Sequence, residues 1–268
     1  MTRSRTHVAA AALTAALAFG LYASTLLPGQ DLGDTASFQA IAGERTLTPR
    51  QGYPLYFAIT GLFVRVLPVE TAAATNVASA VEAALAVGLI VLVGAELGGT
   101  LVAGLVGALL LAGSYTFWSQ ATIAEVYALH VALVGLCLLA LLAWHRRPSD
   151  GRLALFFAAY ALAFGNHLQM ALLLPAFALF LLLAMPGGPR AAFRPGVVLP
   201  AVGLAVLFAL QYAWNFAWLY FEPNHPPLAD NVRAFWFDVT KTDWRSNMVV
   251  TIPWSMVGDR FQMYWFDL

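Results

Sequence analysis

The chain has 268 residues, of which 60% are hydrophobic and 10% are charged, and its formal net charge is zero. Soluble domains carry about 25% charged residues, so this composition excludes an ordinary soluble protein and predicts a polytopic membrane protein. The sequence has no block of basic residues, so nucleic acid is not an expected partner. The single cysteine, Cys137, lies within a hydrophobic run, so neither a disulfide framework nor a thiolate metal cluster is expected.

The first hydrophobic run, residues 8–27, follows Arg3 and Arg5, as the apolar core of a secretory signal would. A run of about twenty residues fits a membrane-spanning helix, whereas the core of a signal peptide has about 7–15 residues. We therefore favour a retained membrane anchor over a cleaved signal peptide.

Along the chain, apolar runs of spanning length predict an all-α fold, a membrane helix bundle with about seven transmembrane helices. The predicted spans are residues 8–27, 76–97, 101–118, 127–145, 153–165, 168–185 and 197–220. One further run, residues 53–68, contains Arg65. A charge at mid-bilayer costs about 2.5–3.5 kcal/mol on insertion scales, which disfavours a span at this place.

The distribution of arginines orients the predicted helices, because cytoplasmic loops carry an excess of basic residues. If residues 53–68 lie along the outer interface as an amphipathic helix, both basic loops, residues 146–152 and 190–194, fall on the cytoplasmic side with the amino terminus. If residues 53–68 crossed the membrane instead, the loop 146–152 would fall outside. The sequence therefore predicts a plasma-membrane protein with a cytoplasmic amino terminus and interfacial helices in its first outer loop.

This map predicts two parts of the chain. Residues 1–220 form a transmembrane module whose outer loop, residues 28–75, holds the candidate catalytic residues. Residues 221–268 form an extracytoplasmic loop rich in aromatic residues. We expect this loop to lie over the site as a lid or acceptor platform, and we expect the chain to be truncated after it.

Polar side chains that could do chemistry gather on the outer side of this map, in three separate turns. Ionisable groups near membrane depth are costly and are therefore often functional. Their convergence predicts a site at the outer interface. The candidates are Asp31, Asp34, Glu44, Arg50 and Gln51 in the first loop, Trp118, Gln120, Glu125, Tyr127 and His130 at the second turn, and Asn166, His167 and Gln169 at the third.

Each candidate also has a purely structural explanation. Asp34 precedes a short predicted helix and could cap its amino end. Glu125 could cap or pair at the start of the fourth span, and residues 166–167 could satisfy backbone groups where a helical hairpin turns. Inside the second span, Glu82 is either a partner for Arg65 or a lone polar contact, and the sequence does not choose between them.

Three stretches of the sequence carry a family resemblance. They are TPRQGYPLYFAITGLF at 48–63, FWSQATIAEVYALHVALVGL at 117–136 and LAFGNHLQMALLLPAF at 162–177. With them, the chain resembles a bacterial domain-of-unknown-function family related to the protein O-mannosyltransferases of the GT-C glycosyltransferase superfamily, over nearly its whole length. The resemblance implies a GT-C-like arrangement in which the helices of the first outer loop lie along the membrane surface.

Many members of that family carry D-x-G-E-F in the first outer loop, followed by H-P-P-G-x-P-L. Aligned without gaps, Asp34 and Phe38 take the places of the motif's aspartate and phenylalanine, and PRQGYPL at 49–55 stands for the proline-rich stretch. Ser37 stands where the glutamate would be, and Pro49 stands where the histidine would be. The motif's glutamate therefore has no acidic counterpart at position 37 of this chain.

The resemblance implies a polyprenyl-phosphate-sugar donor, a protein or glycan hydroxyl as acceptor, and a lipid bilayer around both. In the superfamily the first-loop aspartate is the proposed base, so Asp34 is expected to take the acceptor's proton, with inversion at the anomeric carbon and with Asp31 as its competitor. The leaving phosphate needs only hydrogen-bond donors and positive charge, so neither a cofactor nor a metal is expected. The expected substrate contacts are Asp31, Arg50, Gln51, Tyr53, Trp118, Gln120, Glu125, His130, Asn166 and His167.

Two other functions are weighed against this one. A transporter or flippase would show inverted repeats and polar residues near mid-bilayer, and neither feature is clear in the sequence. A non-catalytic membrane scaffold is the other alternative. The sequence therefore predicts a membrane glycosyltransferase, with mannose as one candidate for the transferred sugar.

Overall fold

The computed structural model of the protein describes residues 5–44, 52–213, 226–239 and 253–267. Within these residues the regular structure is helical and contains no strand, which confirms the predicted all-α class. The chain divides into two compact units, Met1–Trp218 and Leu219–Leu268.

The described part of the first unit contains ten α-helices. They are α1 (Arg5–Ser24), α2 (Gly33–Ile41), α3 (Pro54–Val66), α4 (Thr71–Gly98), α5 (Leu101–Gly113), α6 (Tyr115–Ala121), α7 (Tyr127–Arg146), α8 (Asp150–Ala163), α9 (Met170–Ala184) and α10 (Pro195–Ala209). Short 3₁₀ helices at Pro189–Phe193 and Leu210–Tyr212 flank α10. The predicted interfacial helix at 53–68 is therefore a helix in the structure, and its place at a membrane surface stays a prediction.

Among the described residues, four helices are long and apolar enough to cross a membrane: α1, α4, α7 and the run Pro195–Tyr212. The bent pair α5 and α6 would make a fifth if it counted as one span. The helices at the predicted spans 153–165 and 168–185 have 14 and 15 residues, fewer than the roughly 20 that a bilayer core requires. A count of seven spans therefore stays a prediction.

The run predicted as one span over residues 101–118 is broken in the structure. The axes of α5 and α6 meet at an angle of 68°. Between them, Ser114 leaves helical geometry with φ −69° and ψ 133°, and its hydroxyl donates a hydrogen bond to the Leu111 carbonyl at 2.9 Å. Serine competes for backbone hydrogen bonds and the preceding Gly113 favours the unfolded backbone, so both residues weaken the helix here. Hydropathy alone did not reveal this change of direction.

The long helix α4 lies at the centre of the first unit and packs against α1, α3, α5 and α7. Half of its buried residues are alanine, and small side chains let neighbouring helices approach closely. On α5, a Cβ atom at Gly104 would lie 2.1 Å from the Val91 carbonyl oxygen of α4, so this contact is backbone against backbone. The packing continues from α7 to α8 and from α8 to α10.

Large apolar side chains cover the outward faces of several helices of the first unit. Soluble monomers rarely expose such continuous apolar surface, whereas lipid tails cover it without cost. Examples on α1, α5, α9 and α10 are Leu13, Leu17, Leu109, Leu110, Leu172, Leu183, Leu199 and Val202. The structure therefore fits the composition, which predicts a membrane protein.

Two ion pairs mark one end of the helix bundle in the first unit, which we call the ionic end. Arg146, at the end of α7, pairs through its Nε atom with Glu96 of α4 at 2.9 Å. Arg194, just before α10, pairs with Asp150 at the start of α8 at 2.6 Å. The carboxyl ends of α4 and α7 therefore meet the amino ends of α8 and α10.

Backbone hydrogen bonds between loops mark the opposite end, which we call the polar end. The Leu27 N–H, after α1, donates to the Thr122 carbonyl between α6 and α7 at 3.1 Å. The Leu55 N–H, at the start of α3, donates to the Gly165 carbonyl between α8 and α9 at 2.9 Å. The three turns that hold the predicted site residues are therefore tied together in space.

The described part of the second unit contains two helices, α11 (Leu228–Val239) and α12 (Ser255–Asp267). In α11, Leu228, Val232 and Trp236 recur every four residues, share one face of the helix and are exposed. The predicted extracytoplasmic loop is therefore helical in these stretches, and its placement over the site stays a prediction.

Candidate active site

The short helix α2 presents two different faces. Thr35, Phe38 and Gln39 are buried, whereas Asp34 is exposed in the first turn. The residue at the N-cap is Leu32, and the Asp34 side chain makes no hydrogen bond within the described part of the chain, so Asp34 is not the capping residue. A carboxylate in the first turn is still favoured by the partial positive charge of the helix amino end.

A buried amide pair fixes the loop that leads into α2. The Gln39 amide donates to the Gly29 carbonyl at 3.2 Å and to Asn76 Oδ1 at 3.0 Å, and its oxygen accepts from the Asp31 N–H at 3.1 Å. Asn76 of α4 in turn donates to the Leu27 carbonyl at 2.9 Å. Since buried amides are costly to leave unpaired, this network holds Asp31 and the start of α2 in one position.

The turn between α6 and α7 brings Glu125 against α2. The Thr35 hydroxyl donates to Glu125 Oε1 at 3.2 Å, and the Glu125 N–H donates to the Ser79 hydroxyl of α4 at 3.4 Å. Burial raises the pKa of the Glu125 carboxyl above its ordinary value, the hydrogen bond from Thr35 opposes that shift, and the nearby charges of Asp34 and Asp31 add to it. Carboxyl groups from two separate loops therefore act on one another at the polar end.

A cluster of aromatic rings surrounds His167 in the turn between α8 and α9. Its ring lies 5.5 Å from Tyr53, 5.9 Å from Tyr127 and 5.6 Å from His130, measured between ring centroids. The Gln169 N–H donates to His167 Nδ1 at 3.0 Å. Because Nδ1 accepts a hydrogen bond, a neutral His167 carries its proton on Nε2 and can donate through that atom.

Asn166 anchors the same turn to the start of α7. It is fully buried, and its amide donates to the Val126 carbonyl at 3.0 Å. Among the described residues, Asn166 Oδ1 and His130 Nδ1 are buried without a hydrogen-bond partner. Unpaired buried polar atoms are rare in proteins and mark places where a ligand or water completes the hydrogen bonding.

Tyr53 has a strained backbone at the start of α3. Its φ of 65° and ψ of 39° are left-handed, a conformation that a bulky residue rarely adopts. The ring is held between Phe38, at 5.6 Å, and His167. Strain of about 1–3 kcal/mol persists only where the surroundings enforce it, and such strain clusters at functional sites.

Two observations join the carboxylates and the ring cluster into one site. Phe38 and Asp34 share the helix α2, and Phe38 packs on Tyr53. The charges of Glu125 and Asp34 both act on the Tyr127 hydroxyl. The polar end therefore holds both acidic and imidazole groups, which can accept a proton and donate hydrogen bonds to an anion.

The remaining predicted residues lie outside these contacts. The Trp118 indole donates to the Thr25 hydroxyl at 2.9 Å and its ring lies 6.1 Å from Tyr22, so it packs against the end of α1. Gln120, on the same short helix α6, has a buried side-chain oxygen without a partner among the described residues. Arg50 and Gln51 lie outside the described residues.

Sequence reasoning missed the neutral polar residues that hold this end together, and it left Glu82 undecided. On α4, Thr75, Ser79 and Glu82 are spaced by four and three residues, which places them on one face of the helix. This spacing was a sequence signal for polar residues that face the interior of the bundle. Glu82 is 2% exposed and neither carboxyl oxygen has a partner among the described residues. Arg65 is exposed, so the structure favours a lone polar group over an ion pair.

An apolar cavity of about 480 Å³ lies between α8, α9 and α10. Its polar groups include Gln211 and Tyr212, and the Tyr212 hydroxyl donates to the Phe164 carbonyl at 2.6 Å. Phe164 directly precedes the turn that holds Asn166 and His167, so the cavity approaches the candidate site. The apolar lining includes Phe156, Tyr160, Phe177, Leu181, Ala201 and Ala205.

Helices able to cross a membrane, with acidic and imidazole side chains at one end, define a membrane protein that is helical in its described residues and has a candidate catalytic site at that end. The family model of the protein O-mannosyl-transferase TMEM260 N-terminal domain matches residues 34–186, and the chain belongs to this family. This match confirms the inferred relation to protein O-mannosyltransferases and suggests a glycosyltransferase. The comparisons with curated proteins and with solved structures found no match.

The matched segment begins at Asp34 and includes each candidate residue except Asp31. It therefore covers α2 to α9 and ends before α10. The polar end lies almost entirely inside the region that defines the family.

Proposed function

We propose that the protein is a membrane glycosyltransferase that moves a sugar, with mannose as the first candidate, from a polyprenyl-phosphate-linked donor to a hydroxyl group of a protein or envelope glycan. The reaction takes place on the extracytoplasmic side of the plasma membrane, and the amino terminus is cytoplasmic. The bundle is GT-C-like with seven spans. The observation that carries the proposal is the meeting of Asp34, Glu125 and the His167 ring cluster at one end of a member of a protein O-mannosyltransferase family.

Asp34 is the general base. An acceptor hydroxyl must lose its proton as its oxygen bonds to the anomeric carbon, and a positioned carboxylate contributes about 10²–10⁴-fold to the rate of such a step. Asp34 is exposed at a fixed helix start, and no ion pair among the described residues neutralises it. Attack from the face opposite the phosphate inverts the anomeric centre. Asp31 is the competing base because it lies in the same fixed loop.

The leaving phosphate is held by hydrogen-bond donors rather than protonated by an acid. His167 is a candidate contact for the phosphate, and Asn166 keeps the turn of His167 in place through its bond to Val126. Arg50, which lies outside the described residues, would add positive charge. This chemistry needs neither a cofactor nor a metal.

The apolar cavity between α8, α9 and α10 supports a lipid-linked donor. Its lining is almost wholly apolar and aromatic, which suits an isoprenoid chain. Its Tyr212 end is bonded to the residue before the His167 turn, so a chain in the cavity could keep its phosphate at the polar end. Tyr53 and Trp118 would stack on the sugar or line the entrance for the lipid, and Gln51, Gln120 and His130 would contact donor or acceptor.

The test is sugar transfer by the full chain reconstituted in lipid vesicles, with undecaprenyl-phospho-[¹⁴C]mannose as donor and a Ser/Thr-rich peptide as acceptor. Asp34→Asn should lower transfer by about 10²–10⁴-fold, because the variant loses the base while it keeps the size of the side chain. Asp31→Asn is the matched variant and should retain most of the activity. A larger loss in Asp31→Asn than in Asp34→Asn would move the base to Asp31, and unchanged transfer in both variants would contradict the mechanism.

The place of the lipid can be tested on α10 with two neighbouring residues. Ala205 lines the cavity, whereas the next residue, Val206, is exposed and is not among the lining residues. Ala205→Trp should fill the cavity and raise the KM for the polyprenyl donor, and Val206→Trp should leave KM unchanged. Equal KM values in the two variants would place the lipid elsewhere.

The alternative function of a transporter or flippase is favoured by one observation. Glu82 lies 11 residues from the start of α4, roughly 17 Å along the helix at 1.5 Å per residue, and a buried acid at such depth is typical of transport pathways. A transporter would move the labelled donor between vesicle leaflets without forming a labelled peptide. Labelled peptide that depends on Asp34 would decide for the transferase.

A further inference from the structure

Glu125 occupies a fixed position opposite the base. It comes 90 residues after Thr35 in the sequence, and the Thr35 hydroxyl donates to its Oε1 atom at 3.2 Å. Its own N–H donates to Ser79 at 3.4 Å, so both its backbone and its carboxyl group are oriented by hydrogen bonds. A carboxyl group fixed in this manner has little conformational freedom left to lose in a reaction step.

The helix α2 itself offers no second acid. Ser37, at the place of the motif's glutamate, is exposed and its hydroxyl faces the Gly33 carbonyl of the same helix at 3.5 Å. The buried face of α2 is turned toward α4 and the α6–α7 turn instead, and Thr35 on that face meets Glu125. The carboxyl group that accompanies Asp34 is therefore supplied from the second turn.

The groups around Glu125 come from every element that packs on it, and they are acidic or neutral. The loop before α2 and α2 itself supply Asp31 and Asp34, which act on its charge directly. The helix α3 supplies Tyr56, α7 supplies Tyr127, and α4 supplies Ser79 with Glu82 one turn further on. No ion pair of the described residues includes Glu125, so no cation holds it permanently in the ionised form.

We propose that Glu125, held by the Thr35 hydroxyl next to Asp34, is a second catalytic carboxylate that helps Asp34 to accept the proton that the acceptor hydroxyl releases. This inference rests on the proposed transferase function. As the acceptor oxygen bonds to the anomeric carbon, the bond from that carbon to the phosphate oxygen breaks and the phosphate leaves with the electron pair. The proton passes from the acceptor oxygen to the Asp34–Glu125 pair and goes to water after the product departs.

Among the described residues, no cation pairs with Glu125. A buried carboxyl group near other acidic groups takes up a proton more readily than an isolated carboxylate does. Burial and the charge of Asp34 both raise the pKa of Glu125. A raised pKa brings a base closer to the working pH, where it accepts a proton in the transition state most effectively.

The experiment measures the pH dependence of kcat/KM for the full chain in vesicles, with the same undecaprenyl-phospho-[¹⁴C]mannose and peptide. In the wild type the acid limb belongs to Glu125. Glu125→Gln should lower the rate by about tenfold or more and should move the acid limb to lower pH, because it removes the carboxyl group whose pKa is raised. Thr35→Val should move the limb to higher pH, because it removes a hydrogen bond that favours the charged form of Glu125.

Glu70→Gln is the matched control, since Glu70 is exposed just before α4 and makes no contact with the site that the structure records. It should keep both the rate and the acid limb of the wild type. If Glu125→Gln folds normally and lowers the rate but leaves the acid limb in place, Glu125 only positions α2 and the proposal is overturned. Wild-type protein that forms no labelled peptide would instead contradict the transferase function, which keeps the two failures apart.

Discussion

The ionic end and the polar end of the first unit treat their acidic residues in opposite ways. At the ionic end, Glu96 and Asp150 each pair with an arginine from another helix. At the polar end, the described residues contain no ion pair to Asp34 or Glu125, and Glu125 is oriented by the neutral hydroxyl of Thr35. The opposite charges at the ionic end hold the helix ends together.

This difference teaches which acids are available for chemistry. Glu96 and Asp150 fasten helix ends through their ion pairs, whereas burial raises the pKa of Glu125 above its ordinary value and makes it a better proton acceptor. Buried neutral amides, Gln39 and Asn76, replace ion pairs as the fastening at the polar end. Substitutions at the two ends should therefore differ in kind: both affect stability, but at the polar end they also affect transfer.

The largest effect is expected for Asn166→Ala at the polar end. The substitution removes the donor to the Val126 carbonyl and leaves a buried group unpaired, so the free energy of unfolding should fall by about 1–3 kcal/mol. Transfer should fall as well, because His167 loses the anchor of its turn. Gln169→Ala is the control, since that side chain is exposed and its N–H to His167 is retained. The free energy of unfolding and the rate of transfer are measured for both variants. Equal losses in Asn166→Ala and Gln169→Ala would contradict this prediction.

A smaller effect, confined to stability, is expected for Glu96→Gln at the ionic end. The pair with Arg146 is only partly exposed, at 17% and 28% of the two side chains, so its loss should cost about 1 kcal/mol. A double-mutant cycle with Arg146→Met isolates the coupling between the two side chains. Transfer should remain at the wild-type level, and a loss comparable to that of Asn166→Ala would mean that the two ends are not separate in function.

The sequence predicted the division into two ends because charge has a direct sequence signal. Arginines near helix ends placed the loops that carry Arg146 and Arg194 on the same side of the membrane. The acidic residues of the first loop were recognised because the rest of the chain is largely apolar. The motif around Asp34 and the turn at residues 166–167 also carried the family relation. These features depend on local composition and short spacing, which one sequence contains in full.

The rest depended on packing between distant segments. The bond from Thr35 to Glu125 and the amide pair of Gln39 and Asn76 join residues 90 and 37 positions apart, and single-sequence patterns carry no signal for such pairs. The break at Ser114 is a competition between a side chain and the helix backbone, to which hydropathy is blind. The roles of the individual site residues therefore stay predictions.

The smallest effect is expected for the second pair of the ionic end, Asp150 with Arg194. Its side chains are 68% and 51% exposed, so water and salt screen the attraction and the coupling free energy should be about 0.2–0.5 kcal/mol. A double-mutant cycle with Asp150→Asn and Arg194→Gln would measure it by denaturation at low salt and at about 1 M salt, where the Debye length is about 3 Å and the coupling should vanish. The Glu96–Arg146 coupling should persist better in salt because it is less exposed. Equal salt sensitivity of the two couplings would show that exposure does not rank the pairs, and the ionic end would then act as one network of charges.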